Sequence, residues 1–175
     1  MNMISFVKFL EERNVNLPRF AVRAFKKLRG TLRPDAETGE KTYQVPIPSY
    51  KDEHFDKYDS AENQVYNKFS KTSKSREPLD VTDHVYNKVA QHAVRQPVHI
   101  KDLLPTQEYV SFRNGKELKD KLGDTSRAIS VAKINGKHYI RDGHHAVAAA
   151  LLRGDKTINA DVHDYNDILK KDNIE

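Results

Sequence analysis

The chain contains no cysteine. That absence removes disulfides, thiolate nucleophiles and cysteine-based zinc sites together, and it fits a reducing compartment. Long apolar runs are missing too, and nothing in the sequence approaches the roughly 18 consecutive apolar residues of a membrane-spanning helix. The opening MNMISFVKFLEERN has no basic leader and no small-residue cleavage site, so the expectation is a soluble, non-secreted protein. Apolar residues are scarce, at 37% of 175 with a mean hydropathy of −0.79. The core must therefore be local, with much of the chain solvated or laid on a partner. A chain of this length buries roughly 70% of its unfolded surface. One core is possible, and two are not expected.

What is present in abundance is charge, 30 Lys and Arg against 25 Asp and Glu. Its distribution is uneven: residues 1–33 hold eight basic residues and two acidic ones, residues 34–79 seven and nine, residues 80–175 fifteen and fourteen. The basicity belongs to the first segment. There Met3, Phe6, Val7 and Leu10, and again Ala21, Ala24, Phe25 and Leu28, recur at helical spacing, which predicts two short amphipathic helices. Arg19, Arg23, Lys26 and Lys27 fall opposite the second apolar stripe. Such a face suits a nucleic-acid backbone, an acidic protein partner or plain water.

Residues 34–79 show mixed charge and no sustained period of either helix or strand. They read as an extended linker or partner-binding arm, held by the scattered aromatics Tyr43, Tyr50, Phe55, Tyr58, Tyr66 and Phe69. From residue 80 a folded pattern begins. Val81, Val85, Val89 and Ala93 step by four, predicting a helix capped by Asp80 or Thr82. PVHIKDLL alternates as a strand opened by proline, and NGKELKDKLG is a helix closed by Gly123. RAISVAKI and KHYIRD flank Asn135-Gly136, the strongest short hairpin signal. HHAVAAALLRG is a helix ended by Gly154, and TINADV a final strand. The expected order is α-β-α-β-β-α-β.

The step from KHYIRD through Gly143 into His144 and His145 carries the candidate chemistry. A strand, a glycine that admits close backbone approach and a helix N-terminus with free N–H groups together make an anion site, and phosphate is its natural guest. Asp142 is the expected N-cap, and each histidine can donate when protonated or act as acid or base near neutral pH. A plain structural role competes with this. His144 shares a helix face with Val147, Ala148 and Leu151, and a helix-start histidine more often caps or packs than reacts. Adjacent histidines point about 100° apart and form no two-histidine metal grip, so no metal site is expected.

VHIKDLLPTQ followed by ISVAKINGKHYIRDGHHAVAAALLRGDKTINADV resembles the ParB/sulfiredoxin superfamily. In particular it resembles the phage and mobile-element branch marked by a strand, Asp-Gly-His-His-Arg, an Ala-rich helix and a closing strand. The match spans about residues 97–165. It implies a small α/β fold with a mixed sheet and packed helices, here preceded by a helical and extended N-terminal arm. It also implies a phosphate cradle on Gly143, His144 and His145, supported by Arg141 and by Gln107 of the PTQ element. A nucleoside triphosphate with Mg is the cofactor class that such a resemblance admits. Members range from CTP-dependent partition clamps and ATP-using sulfiredoxins to a free-serine kinase and nucleases, so the resemblance does not select a reaction.

The residue after the two histidines is Ala146, where the motif has the arginine that clamps phosphate oxygens. Sulfiredoxin chemistry is excluded by the missing thiolate. Partition activity is not expected, since a DNA-reading helix-turn-helix and a dimerising tail do not fit in the ten residues after Tyr165. Two readings stay open. In one, the chain is a phosphate-binding protein for nucleotide or nucleic acid, of phage or mobile-element origin, with nuclease or phosphotransfer activity carried by Asp142, His144 and His145. In the other it is an inactive structural component, such as a cytoplasmic or virion-associated protein, whose arm engages a protein partner or a second copy of itself. The domain division expected in both is 1–33, 34–79 and 80–175.

Overall fold

Ten residues between Gly143 and Gly154 hold two adjacent histidines, one arginine and otherwise only Ala, Val and Leu, and the molecule is assembled around them. The computed structural model describes residue 24 and residues 31–34, 41–75, 77–113 and 115–170. Its elements are β1 (Thr31–Pro34), β2 (Lys41–Pro46), α1 (Asp52–Ser70), α2 (Pro78–Ala90), β3 (Ala93–His99), a 3-10 turn (Ile100–Asp102), β4 (Leu103–Leu104), β5 (Tyr109–Phe112), α3 (Gly115–Gly123), β6 (Ile129–Ile134), β7 (Lys137–Asp142), α4 (His144–Arg153), β8 (Thr157–Asp164) and α5 (Tyr165–Lys170). The fold is α/β, as expected.

A five-stranded mixed sheet runs in the order β3-β8-β6-β7-β4, and a smaller antiparallel sheet in the order β1-β2-β5. β6 pairs parallel with β8 and β4 parallel with β7, while the remaining pairs are antiparallel. The β6–β7 hairpin forms where Asn135-Gly136 places it, with φ of 50° and 77°, as a type I′ turn requires. α4 lies between the two sheets. Its Ala148, Ala149 and Leu152 pack on Val45, Phe112, Leu118 and Leu122 from the small-sheet side. Its Val147 and Ala150 pack on Ile129, Val131, Ile140 and Val162 of the large sheet. A helix buried on both sides must be apolar nearly all round, and small residues let two sheets approach it, which explains the run of alanines. α4 ends in a turn at Gly154, φ 85°, whose N–H donates to the Ala150 and Leu151 carbonyls.

The opposite face of the large sheet is covered by α1, α2 and α5. Along β6, Val131 faces α4 while Ala132 faces this second layer, as strand alternation dictates. Here the structure corrects the expectation for residues 34–79. Far from an extended arm, they form β2 and the 19-residue α1. α1 buries His54, Ala61, Val65 and Phe69, a helical spacing that a histidine and an alanine conceal among apolar positions. Val65 and Phe69 meet Val85, Val89, Tyr165 and Ile168, while Val45 and Ile47 meet Phe112 and Leu118, so the packed clusters run across residue 80.

Smaller corrections follow the same physics. α2 starts at Pro78, a residue suited to the first helical position, and neither Asp80 nor Thr82 caps it. Ser75 donates to Asp80 and Thr82 to the Pro78 carbonyl. β3 begins before Pro97 rather than at it. It is a sheet edge, where a missing N–H is tolerated. Gly123 is the last residue of α3 rather than the one beyond it. β5 and α5 have no counterpart in the expected order. The helices expected in residues 1–33, including Arg19, Arg23, Lys26 and Lys27, lie outside the described residues, apart from a single helical residue at Ala24.

Candidate phosphate site at the start of the central helix

Gly143 takes φ 102°, and an added Cβ would stand 2.6 Å from Ile129 Cγ2 and 2.9 Å from its Cβ. Glycine is thus demanded twice over, by backbone conformation and by close packing of the β7–α4 turn onto β6. No side chain caps α4. Asp142, the expected N-cap, instead accepts the Gly143 N–H at 2.7 Å through Oδ1, and its other oxygen stands 3.8 Å from the Arg127 guanidinium. The helix therefore begins with its first-turn N–H groups unserved by any side-chain cap, beside an exposed arginine that sequence spacing did not single out.

The two histidines leave in different directions. His144 is buried, and its Nε2 accepts the Thr106 N–H at 3.3 Å with the Thr106 hydroxyl 3.0 Å away; that hydroxyl donates to the Ile140 carbonyl. Burial lowers the His144 pKa to about 4, more than the nearby Asp142 carboxylate raises it. At neutral pH this imidazole is uncharged. It ties the PTQ loop to the helix start, a role for Thr106 that the motif contained but spacing could not announce. His145 is half-buried, and its Nε2 donates to the Ser111 carbonyl at 3.0 Å while its ring meets Phe112 edge-on with centroids 5.1 Å apart. Since a carbonyl only accepts, Nε2 carries a proton.

Arg141, expected to support phosphate, points to the other face of the large sheet. Its side chain pairs with Glu62 of α1 at 3.2 Å and stacks 5.2 Å over Tyr86, and Glu62 also accepts the Tyr165 hydroxyl. Burial opposes the charge of Arg141, but the surrounding Tyr165 and Glu62 more than offset it and raise its pKa. Burial likewise raises Tyr165 and Tyr58. Arg153 is committed elsewhere, binding Asp155 at 2.8 Å and the Lys121 and Leu122 carbonyls at the end of α3. Gln107 is exposed in the loop after β4.

Asp142, His144 and His145 thus do not converge on one reacting position. What the turn does assemble is Gly143, the first amides of α4, Asp142 and Arg127. Among the described residues no group of three or more His, Asp or Glu side chains is placed to hold a metal ion. No helix among them is long and apolar enough to cross a membrane.

Neither a protein-family model nor a curated protein matches the chain. Among solved structures it is similar to the C-terminally truncated chromosome-partitioning protein ParB from Caulobacter crescentus, crystallised with the centromeric parS site, at 25% identity and a TM-score of 0.33. That likeness covers 42% of this chain and 42% of the ParB chain.

Proposed function

We propose that the chain is a ParB-like phosphate-binding protein that takes a nucleotide or nucleic-acid phosphate on the first turn of α4. The observation that carries this reading is the uncapped start of α4 immediately after Gly143, with Arg127 alongside. Unserved amides and a helix dipole favour an anion there. The reading is one of binding. Nuclease or phosphotransfer activity of phage or mobile-element type, the finer reading, would fall to Asp142 and His145, because His144 is buried and engaged by Thr106. An N-terminal basic face at Arg19, Arg23, Lys26 and Lys27 would add salt-dependent contacts to a nucleic-acid backbone.

Asp142 supplies the test, because its carboxylate is exposed and stands at the same helix start. Asp142→Asn keeps the acceptor for the Gly143 N–H and removes the charge that opposes an incoming phosphate. Calorimetric titration with ATP and with a short DNA duplex should show about three- to tenfold tighter binding for the variant. Ala146→Arg, which restores the motif arginine, should tighten binding further. No binding in the parent or either variant would refute the reading, and unchanged affinity in Asp142→Asn would move the site away from α4.

A second reading, a structural component using the fold as a scaffold, has its own support. Leu79, Tyr86 and Val94 are 81%, 57% and 62% exposed within one short stretch of α2 and edge strand β3. Large apolar side chains so placed, next to an open strand edge, suit a protein partner or a second copy. Chemical cross-linking with and without Leu79→Lys and Val94→Lys separates the readings: a scaffold loses its assemblies, whereas a phosphate binder keeps its affinity.

A further inference from the structure

Away from the turn at Gly143, a half-open cavity of about 520 Å³ lies between α4, the end of β2 and the 3-10 turn. Its volume falls in the range of small-molecule sites. The wall is made of Val147 and Leu151, one turn apart on α4, together with Ile47, Ile100, Leu103 and Ile140. Lys101 and Lys156 both line it, on segments whose backbones are joined where the Ile100 N–H donates to the Lys156 carbonyl at 3.0 Å. The carboxylate at the rim, Asp155, is occupied by Arg153, at 2.7 Å and 2.8 Å. Among the described residues no carboxylate is ion-paired with Lys101 or Lys156.

We propose that this cavity is a binding site for a small amphipathic anion, an aliphatic carboxylic acid whose hydrocarbon body fills the apolar space and whose carboxylate meets Lys101 and Lys156. The sign of the charge follows from two uncommitted cations facing a neutralised carboxylate. The hydrocarbon body follows from the wall, since burying apolar surface on apolar surface is the attraction such a space offers. An aliphatic body is preferred over a nucleobase because the wall is mainly aliphatic and the lining ring is the exposed His99, with no Phe or Tyr among the described lining residues to complete a stacking platform. The site is separate from the α4 start, so either proposal can fail alone.

The test titrates the full chain with octanoate, and with octan-1-ol as the uncharged control, by isothermal calorimetry. Octanoate should bind in a one-to-one ratio, and octan-1-ol at least about tenfold more weakly. Lys101→Met with Lys156→Met should abolish that preference; both side chains are exposed, and an unchanged melting curve without ligand confirms the fold. Leu151→Trp, at the half-buried edge of the wall, should remove octanoate binding by filling the space. Absence of octanoate binding at millimolar concentration overturns the proposal. So does equal binding of acid and alcohol, or an acid preference that survives loss of both lysines.

Discussion

Gly143 and His144, both expected at a ligand site, are also built into the packing of the fold, against Ile129 and Thr106. Gly143→Ala would force an L side chain to φ 102° and onto Ile129. The expected loss is about 2–4 kcal/mol in denaturant unfolding, from positive-φ strain together with overpacking. For this reason loss of ligand binding in a Gly143→Val variant would say nothing about phosphate. His144 makes a separate prediction through pH. Its folded pKa of about 4 lies below the usual 6.5, so the unfolded chain binds the proton first. The stability it helps maintain is complete above about pH 6.5 and is lost as pH falls toward 4, with about 2 kcal/mol gone between pH 7 and pH 5. His163, also lowered by burial, adds a slope of the same sign. Urea titrations at the two pH values should show a shallower dependence for His144→Gln; an equal dependence would deny that His144 is the buried titrating group. At this scale the sequence was informative about position and not about role. Gly-His-His marks the strand-to-helix step, but Thr106 and Ile129, the partners that decide what those residues do, come from chain segments far away in sequence.

Elements were legible where the signal is local. The Asn135-Gly136 hairpin and the helix closed by Gly154 depend on residues within a turn or two of each other. β2 and β5 depend on pairing such as Val45 with Val110 across the chain, and short strands of that kind have no local mark. α1 was hidden differently: its buried face is His54, Ala61, Val65 and Phe69, while Phe55 and Tyr66 are exposed and blur the period. Its packing yields two predictions. Phe69→Ala should cost about 3–5 kcal/mol, the usual effect of emptying a fully buried aromatic site. A fragment of residues 80–175 should lose cooperative thermal unfolding, since it lacks both Phe69 and Val45, whereas a fragment that melts as sharply as the full chain would restore the boundary read from composition. Arg141→Met should lower stability by about 3 kcal/mol, because it leaves Glu62 without its charge partner. It should leave phosphate affinity unaltered; a loss of affinity with stability preserved would return Arg141 to the site.

For the molecule as a whole, α4 is a spacer between two sheets. The Gly-His-His step divides its work: the histidines secure the helix to the PTQ loop and to β5, and in the proposed reading the uncapped backbone beside them takes the anion. The most direct measurement is a backbone amide NMR titration of the full chain with ATP and with inorganic pyrophosphate. The account predicts saturable shifts concentrated at the His144, His145 and Ala146 amides, with Arg127 and Asp142 following, and the same amides responding at lower ligand concentration in Asp142→Asn. Saturating binding that leaves those three amides unmoved, or no response of the chain to either ligand, would contradict it.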